Sequence, residues 1–315
     1  MSSAFIKLRD AWDILRHVRP SRLAIAGLFP APFRRAIVLN DGPASTSHDG
    51  PASPSHDGPA ASDDDDALRR LARLRLAMKS RAIDAAGRVS YDALRGSDVY
   101  RQLDETAPAL ATIDPGALTG DAERLAFWLN LYNVLAIHGV LALGIRRSVM
   151  EIPGFFGLVA YRVGQHVLTL DDIENGVIRA NSPHPASGRA PFREGDPRRA
   201  WTVSRVDPRV HAALVCASES CPAVGFYDAE LIDAQLDAAA ANWVNGDVRV
   251  NDARQRIELP ITFRYFRADF GGERGIREFA ARHADPELRE ALARANERAW
   301  PLFFARYDWS LNRIA

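Results

Sequence analysis

Apolar residues recur at helical spacing in several parts of the chain. In residues 67–80, Leu71, Leu74 and Met78 fall on one face, and arginines fill most of the other positions. Residues 121–144 are apolar on nearly every side, which indicates a helix buried in the core rather than one lying on the surface. The spacing predicts further helices over 170–180, 229–246, 275–284 and 286–300.

Two other segments alternate between apolar and polar residues and contain turn-forming residues near their centres. Residues 157–170 predict a hairpin that turns at Gly164–Gln165. A two-residue turn there would place Tyr161 opposite Leu168 on one face of the sheet. A second hairpin is predicted around Asn251–Asp252.

The apolar run over residues 209–217 has the length of a strand and contains few polar positions. As a strand, it would place His211 and Cys216 on opposite faces. Helices and hairpins do not alternate as regular strand–helix–strand units along the chain. The pattern therefore predicts an α+β fold, with a helical body around a small, mainly antiparallel sheet.

The composition changes along the chain and predicts three parts. Residues 1–40 are basic and carry a short amphipathic helix pattern, which could dock on its own domain or make weak contact with an anionic membrane surface. Residues 41–66 repeat an octad rich in Asp, Gly, Pro, Ala and Ser, which predicts a disordered linker. Residues 67–315 form the folded body.

The overall charge limits the classes of partner. Forty basic and 40 acidic residues give a formal net charge of zero, so no nucleic-acid partner is expected. The first 20 residues have scattered charges and no clean apolar core of a secretory signal. Residence in the cytoplasm is the default expectation, and the periplasm is the alternative.

Four motifs occur in order along the chain: "FWLNLYNVLAIH" (127–138), "LTLDDIENGVIR" (168–179), "DPRVHAALVCASESCPAV" (207–224) and "YDWSLN" (307–312). In their order and spacing they resemble the DUF547 family, and "VSYDAL" (89–94) is similar to that family's opening. The resemblance implies one domain across residues 67–315 and no secure biochemical function. It also implies that paired cysteines are frequent in bacterial members and not always present in eukaryotic relatives.

Both cysteines of the chain, Cys216 and Cys221, lie five residues apart. They could be a catalytic thiol and its neighbour, two buried structural thiols or a disulfide. A zinc site is the weakest alternative, because C-x4-C is only half of a site and no second pair has the usual spacing. No metal and no cofactor are therefore expected.

The first functional hypothesis is a cysteine-dependent hydrolase or acyltransferase with a papain-like layout. Cys216 would be the nucleophile, His138 the base and Glu174 the residue that orients the base. His211 is a poorer base, because the strand pattern places it on the face opposite Cys216.

The second hypothesis is a non-catalytic module that binds a small molecule or a peptide in a polar cleft. Asn130 and Asn133 share one face of the core helix, where a buried amide needs hydrogen-bond partners. They could line the cleft or hold neighbouring loops. Arg209 could bind an anionic group, or it could form a structural ion pair. Cys221 would be a further ligand-binding residue of this cleft.

Overall fold

The computed structural model describes residues 36–41 and 63–314. These residues form helices and two small three-stranded sheets, which confirms the predicted α+β class. The α-helices are α1 (Asp63–Ala82), α2 (Tyr91–Leu94), α3 (Asp98–Thr106), α4 (Asp121–Ala142), α5 (Phe155–Leu158), α6 (Ile232–Asp247), α7 (Thr262–Tyr265), α8 (Gly272–His283) and α9 (Pro286–Glu297). The strands are β1 (Ile37–Val38), β2 (Val159–Val163), β3 (His166–Thr169), β4 (Arg249–Asn251), β5 (Arg256–Leu259) and β6 (Leu302–Phe304).

Helix α4 is the centre of the larger hydrophobic cluster and confirms the predicted core helix. Every residue from Leu125 to Leu141 is buried. Strand β2, helix α6 and a π-helical segment at Asp172–Ile178 all pack against it, and together they shield this part of the helix from water. The helix is long and apolar enough to span a membrane, yet almost all of it lies inside the folded protein.

The first sheet has the order β1–β2–β3. Strands β2 and β3 form the predicted hairpin, with Tyr161 opposite Leu168. Gly164 takes a left-handed φ of 55° at the turn, a backbone conformation that glycine adopts readily. Strand β1 pairs in parallel with β2, with Ile37 beside Val159. The sequence pattern did not predict this third strand.

Residues 36–41 are held to the sheet by side chains as well as by strand pairing. The Asn40 amide donates to the carbonyls of Ala107 and Arg162 and accepts from the backbone N–H of Arg162. Asp41 forms a two-point ion pair with the Arg162 guanidinium. The rest of the predicted amphipathic segment, residues 1–35, lies outside the described residues. So does most of the predicted linker, residues 42–62, and α1 begins at Asp63.

The second sheet, β4–β5–β6, lies beside the smaller hydrophobic cluster formed with α8 and α9. Its first two strands are the second predicted hairpin, with Asn251 opposite Arg256. Strand β6 joins in parallel with β5. The part of the chain that the structure describes therefore has two mixed sheets where the sequence predicted one mainly antiparallel sheet.

The strand predicted over residues 209–217 is wrong. Pro208–Ala212 is a turn of 3-10 helix, which Asp207 caps by accepting from the backbone N–H of Arg209. The residues that follow lack a strand neighbour along most of their length. The Asn133 side chain takes that neighbour's place, because it binds the Ala213 carbonyl and the Val215 N–H. An apolar run can thus be buried without joining a sheet.

Candidate functional site

The two cysteines, Cys216 and Cys221, form a disulfide. The hydroxyl of Tyr307 lies 2.8 Å from Cys216 Sγ and 3.1 Å from Cys221 Sγ. Disulfide sulfurs carry no proton, so the hydroxyl is the donor to both. All three side chains are partly exposed. Of the alternatives that the sequence left open, the disulfide is the one present in this structure.

The C-terminal segment brings Tyr307 to the cysteines. It runs along the cysteine loop, where the N–H of Glu219 donates to the Ser310 carbonyl and Leu311 bridges to Ser218. Ser220 Oγ accepts from the N–H of Asp308, the residue after the tyrosine. The sequence indicated no chemistry in the "YDWSLN" motif, because its tyrosine meets the cysteines only after the chain has folded back over about 90 residues.

Glu174 lies in the π-helical segment and faces the same site. Its carboxylate accepts a hydrogen bond of 3.1 Å from the hydroxyl of Tyr132 on α4. Burial raises the pKa of Glu174 to about 7, and the negative charge of Asp171 adds to that rise. Burial also raises the pKa of Tyr307, and the nearby Glu174 carboxylate contributes. Tyr307 therefore contacts Cys216 directly and is close enough to Glu174 for the carboxylate charge to raise the pKa of its hydroxyl.

Two further titratable groups adjoin Glu174. Burial raises the pKa of Asp171 to about 7, with a further contribution from Asp172. His184 Nε2 lies 3.7 Å from Asp171 Oδ1, and both side chains are about one-third exposed. Burial lowers the pKa of His184, although Glu174 acts in the opposite direction. The sequence analysis did not select Asp171 or His184, since neither follows a catalytic spacing.

His138 lies elsewhere, so the predicted Cys216–His138–Glu174 triad is not assembled. Its Nδ1 lies 2.7 Å from the Tyr161 hydroxyl, and its Nε2 lies 3.2 Å from Asp104 Oδ1. Burial lowers the pKa of His138 to about 4, so the ring is neutral at physiological pH. The histidine faces β2 and α3, and its hydrogen bonds there explain how a polar ring is accommodated in the core helix.

The other candidate base, His211, also makes its contacts away from the disulfide. Its Nε2 lies 2.8 Å from Asp269 Oδ2, and Arg179 forms a two-point ion pair with the same carboxylate. The three side chains are almost fully buried. Burial alone would raise the pKa of Asp269, but hydrogen bonds from His211 and Arg179 outweigh it and lower the pKa to about 2. This group connects elements of the two hydrophobic clusters.

Asn130 and Asn133 bind loop backbone rather than lining an open cleft. Both side chains are buried. Asn130 donates to the Tyr227 carbonyl and accepts from the Tyr227 N–H. Asn133 donates to the carbonyls of Ala213 and Gly225 and accepts from Val215. The geometry thus agrees with the structural role that the sequence analysis weighed against a ligand-binding role.

Arg209 likewise binds other groups of the protein. Its guanidinium pairs with Asp207, Asp233 and Asp237 at 2.6–2.8 Å. The ion-pair alternative is the one that these contacts support. Within residues 36–41 and 63–314, no group of three or more His, Cys, Asp or Glu side chains is arranged to hold a metal ion.

Comparison with known proteins gives one family match over part of the chain. The family model described as "Protein of unknown function, DUF547" matches residues 116–244. No curated protein matches the chain, and no solved structure matches it. The papain-like layout expected from the cysteine hypothesis is therefore not confirmed. The matched range includes α4, Glu174 and both cysteines and ends before Tyr307. Residues 116–244 of the chain thus match the model of DUF547, a family of unknown function.

Proposed function

We propose that this protein is a cysteine-dependent hydrolase or acyltransferase whose nucleophile is Cys216 in the reduced state of the site. Glu174 takes the role of base that the sequence hypothesis gave to His138, and Tyr307 donates a hydrogen bond to the Cys216 sulfur. The observation that carries the proposal is the position of Tyr307, whose hydroxyl lies 2.8 Å from Cys216 Sγ and whose pKa the Glu174 carboxylate helps to raise.

The environment of Cys216 suits a thiolate nucleophile. The thiolate is the reactive form of cysteine, and a hydrogen-bond donor close to the sulfur stabilises it. The Tyr307 hydroxyl is such a donor, and burial keeps it protonated by raising its pKa. Cys216 is partly exposed, so an acyl group can reach its sulfur.

Glu174 is suited to carry protons at neutral pH. A carboxylate with the ordinary pKa of about 4.3 is a weak base, whereas general catalysis is most efficient when the pKa lies near the working pH. The pKa of Glu174, about 7, meets that condition. Tyr132 holds the carboxylate from the core side through its hydrogen bond.

The reaction follows from these two groups. The Cys216 thiol gives its proton to Glu174, and the thiolate attacks the acyl carbon to form a thioester. Glu174 then returns the proton to the departing group. Water, or a second acceptor, attacks the thioester while Glu174 accepts its proton, and the thiolate of Cys216 leaves. The net change is acyl transfer with no change in oxidation state.

An activated ester tests the proposal on the reduced, full-length protein. With p-nitrophenyl acetate, we expect a burst of p-nitrophenolate and an acetyl group on Cys216, detected by mass spectrometry of peptides. Cys221→Ser should keep the burst and serves as the matched control, while Cys216→Ser should abolish it. An equal burst from the Cys216→Ser protein, or acetylation of lysines alone, would contradict the proposal.

A further inference from the structure

A pocket opens beside one of the two cysteines, Cys221. It has a volume of about 340 Å³ and is lined by the turn around Gly87 and by the cysteine loop after Glu219. Cys221 is part of the lining, and Cys216 is not. Arg88 and Glu219, which are both exposed, place one positive and one negative side chain at its wall.

Hydrogen-bond donors lie close to both sulfurs. The Tyr307 hydroxyl lies 2.8 Å from Cys216 Sγ and 3.1 Å from Cys221 Sγ, and the backbone N–H of Cys216 also donates to Cys221 Sγ. Either sulfur can therefore leave as a stabilised thiolate, and the position of the pocket decides which sulfur a thiol held in it attacks. The two cysteines therefore have different roles when the bond is broken.

We infer that this pocket, here named the thiol-entry pocket, admits a small thiol to Cys221 Sγ and that attack there releases Cys216. The inference rests on the proposed function for its purpose, since it is the step that supplies the Cys216 nucleophile. The Glu219 carboxylate at the pocket wall suits the ammonium group of a small thiol of the amino-acid type, while the Arg88 guanidinium pairs with Asp84.

The exchange balances in two steps. The thiolate of the incoming molecule bonds to Cys221 Sγ, the disulfide breaks, and its electron pair stays on Cys216 as a thiolate. A second thiolate then attacks the sulfur of the incoming molecule in the mixed disulfide, which releases the Cys221 thiolate. The protein gains two electrons, and two small thiols are oxidised to one disulfide.

Trapping the first step shows which sulfur is attacked. Oxidised full-length protein is mixed briefly with L-cysteine, quenched in acid, and its free thiols are blocked with N-ethylmaleimide. We expect the cysteine adduct on Cys221 and the maleimide on Cys216, by at least about tenfold over the reverse pattern. Adducts divided equally between the two positions, or placed mainly on Cys216, would overturn the inference.

A matched pair of variants tests the pocket itself. Ala86 lines the pocket, and its neighbour Ala85 is also exposed but lies outside it. Ala86→Trp should slow the reduction by L-cysteine about tenfold by blocking access to the sulfur, while Ala85→Trp should not. Equal rates in the two variants would contradict the role of the pocket. Acetylation of Cys216 in pre-reduced Ala86→Trp protein should stay at the wild-type level. Failure of the pocket proposal would change only the rate of reduction, whereas failure of the proposed acyl chemistry would appear as a lack of acetylation in the wild-type protein as well.

Discussion

Replacing Asn133 with leucine is expected to lower the free energy of unfolding by about 4 kcal/mol or more. The amide makes three backbone hydrogen bonds of 3.0 Å inside the protein. Leucine has a similar size but leaves two carbonyls and one N–H without a partner. Each unsatisfied buried group costs about 1–3 kcal/mol, so the sum is a large fraction of the total stability of a domain. Urea denaturation followed by circular dichroism measures the loss.

Asn245 provides the control for this prediction. Its amide also makes three backbone hydrogen bonds, to Ala241, His283 and Asp285, but the side chain is partly exposed. Water can replace the lost partners there, so Asn245→Leu should cost only about 1 kcal/mol. Similar losses in the two variants would mean that the burial of Asn133 is not what makes its amide important.

The second large effect is expected at the buried ion pair. Arg179→Met should lower the free energy of unfolding by about 3–5 kcal/mol, because it leaves the Asp269 carboxylate buried without its two-point partner. The loss should be smaller when Asp269→Leu is added, since the double variant no longer buries an uncompensated charge. Denaturation at neutral pH compares the single and the double variant.

Arg162 offers a surface pair of the same geometry as a control. It forms two hydrogen bonds with Asp41, and both side chains are more than one-third exposed. Arg162→Met should therefore change stability by less than about 1 kcal/mol. If Arg162→Met and Arg179→Met lowered the free energy of unfolding equally, the buried ion pair at Asp269 would not stabilise the fold more than a surface pair does.

The elements with strong local periodicity could be predicted from the sequence. Helix α4 follows from its apolar composition, and the register of β2 and β3 follows from the two-residue turn at Gly164–Gln165. In both cases the residues that determine the element lie within it or beside it. The bounds of α4 differ from the prediction only at the C-terminal end, where the helix stops at Ala142.

Elements that depend on distant residues could not be predicted. Strand β1 has two residues, and its partner on β2 lies 122 positions further along the chain. The segment after Ala212 joins no strand along most of its length, and Asn133 on helix α4 binds its backbone instead. Local patterns carry no information about either partner.

The contacts of the predicted site residues could not be predicted from local patterns. Cys216 lies beside Tyr307, which is 91 positions away in the sequence. Helix α4 is apolar all round, so its pattern could not show which neighbours His138 and Tyr132 would face. The Tyr132 hydroxyl donates to Glu174, whereas His138 contacts Tyr161 on β2. Helical position alone therefore does not show which of these side chains lies near Glu174.

The central claim is that Cys216 and Glu174 act in one reactive site, and the pH dependence of thioester hydrolysis tests it most directly. The test uses Cys221→Ser protein that is already acetylated on Cys216. This protein has no free cysteine thiol, so the ionisation of a thiol cannot affect the rate at which acetate is released. Glu174 must be ionised to accept a proton from water, so the rate should rise with pH up to about 7, the raised pKa of this carboxyl, and level off above it. Glu174→Gln should remove this titration and slow hydrolysis at pH 8 by about a hundredfold. Identical pH profiles and rates in the two proteins would contradict the account.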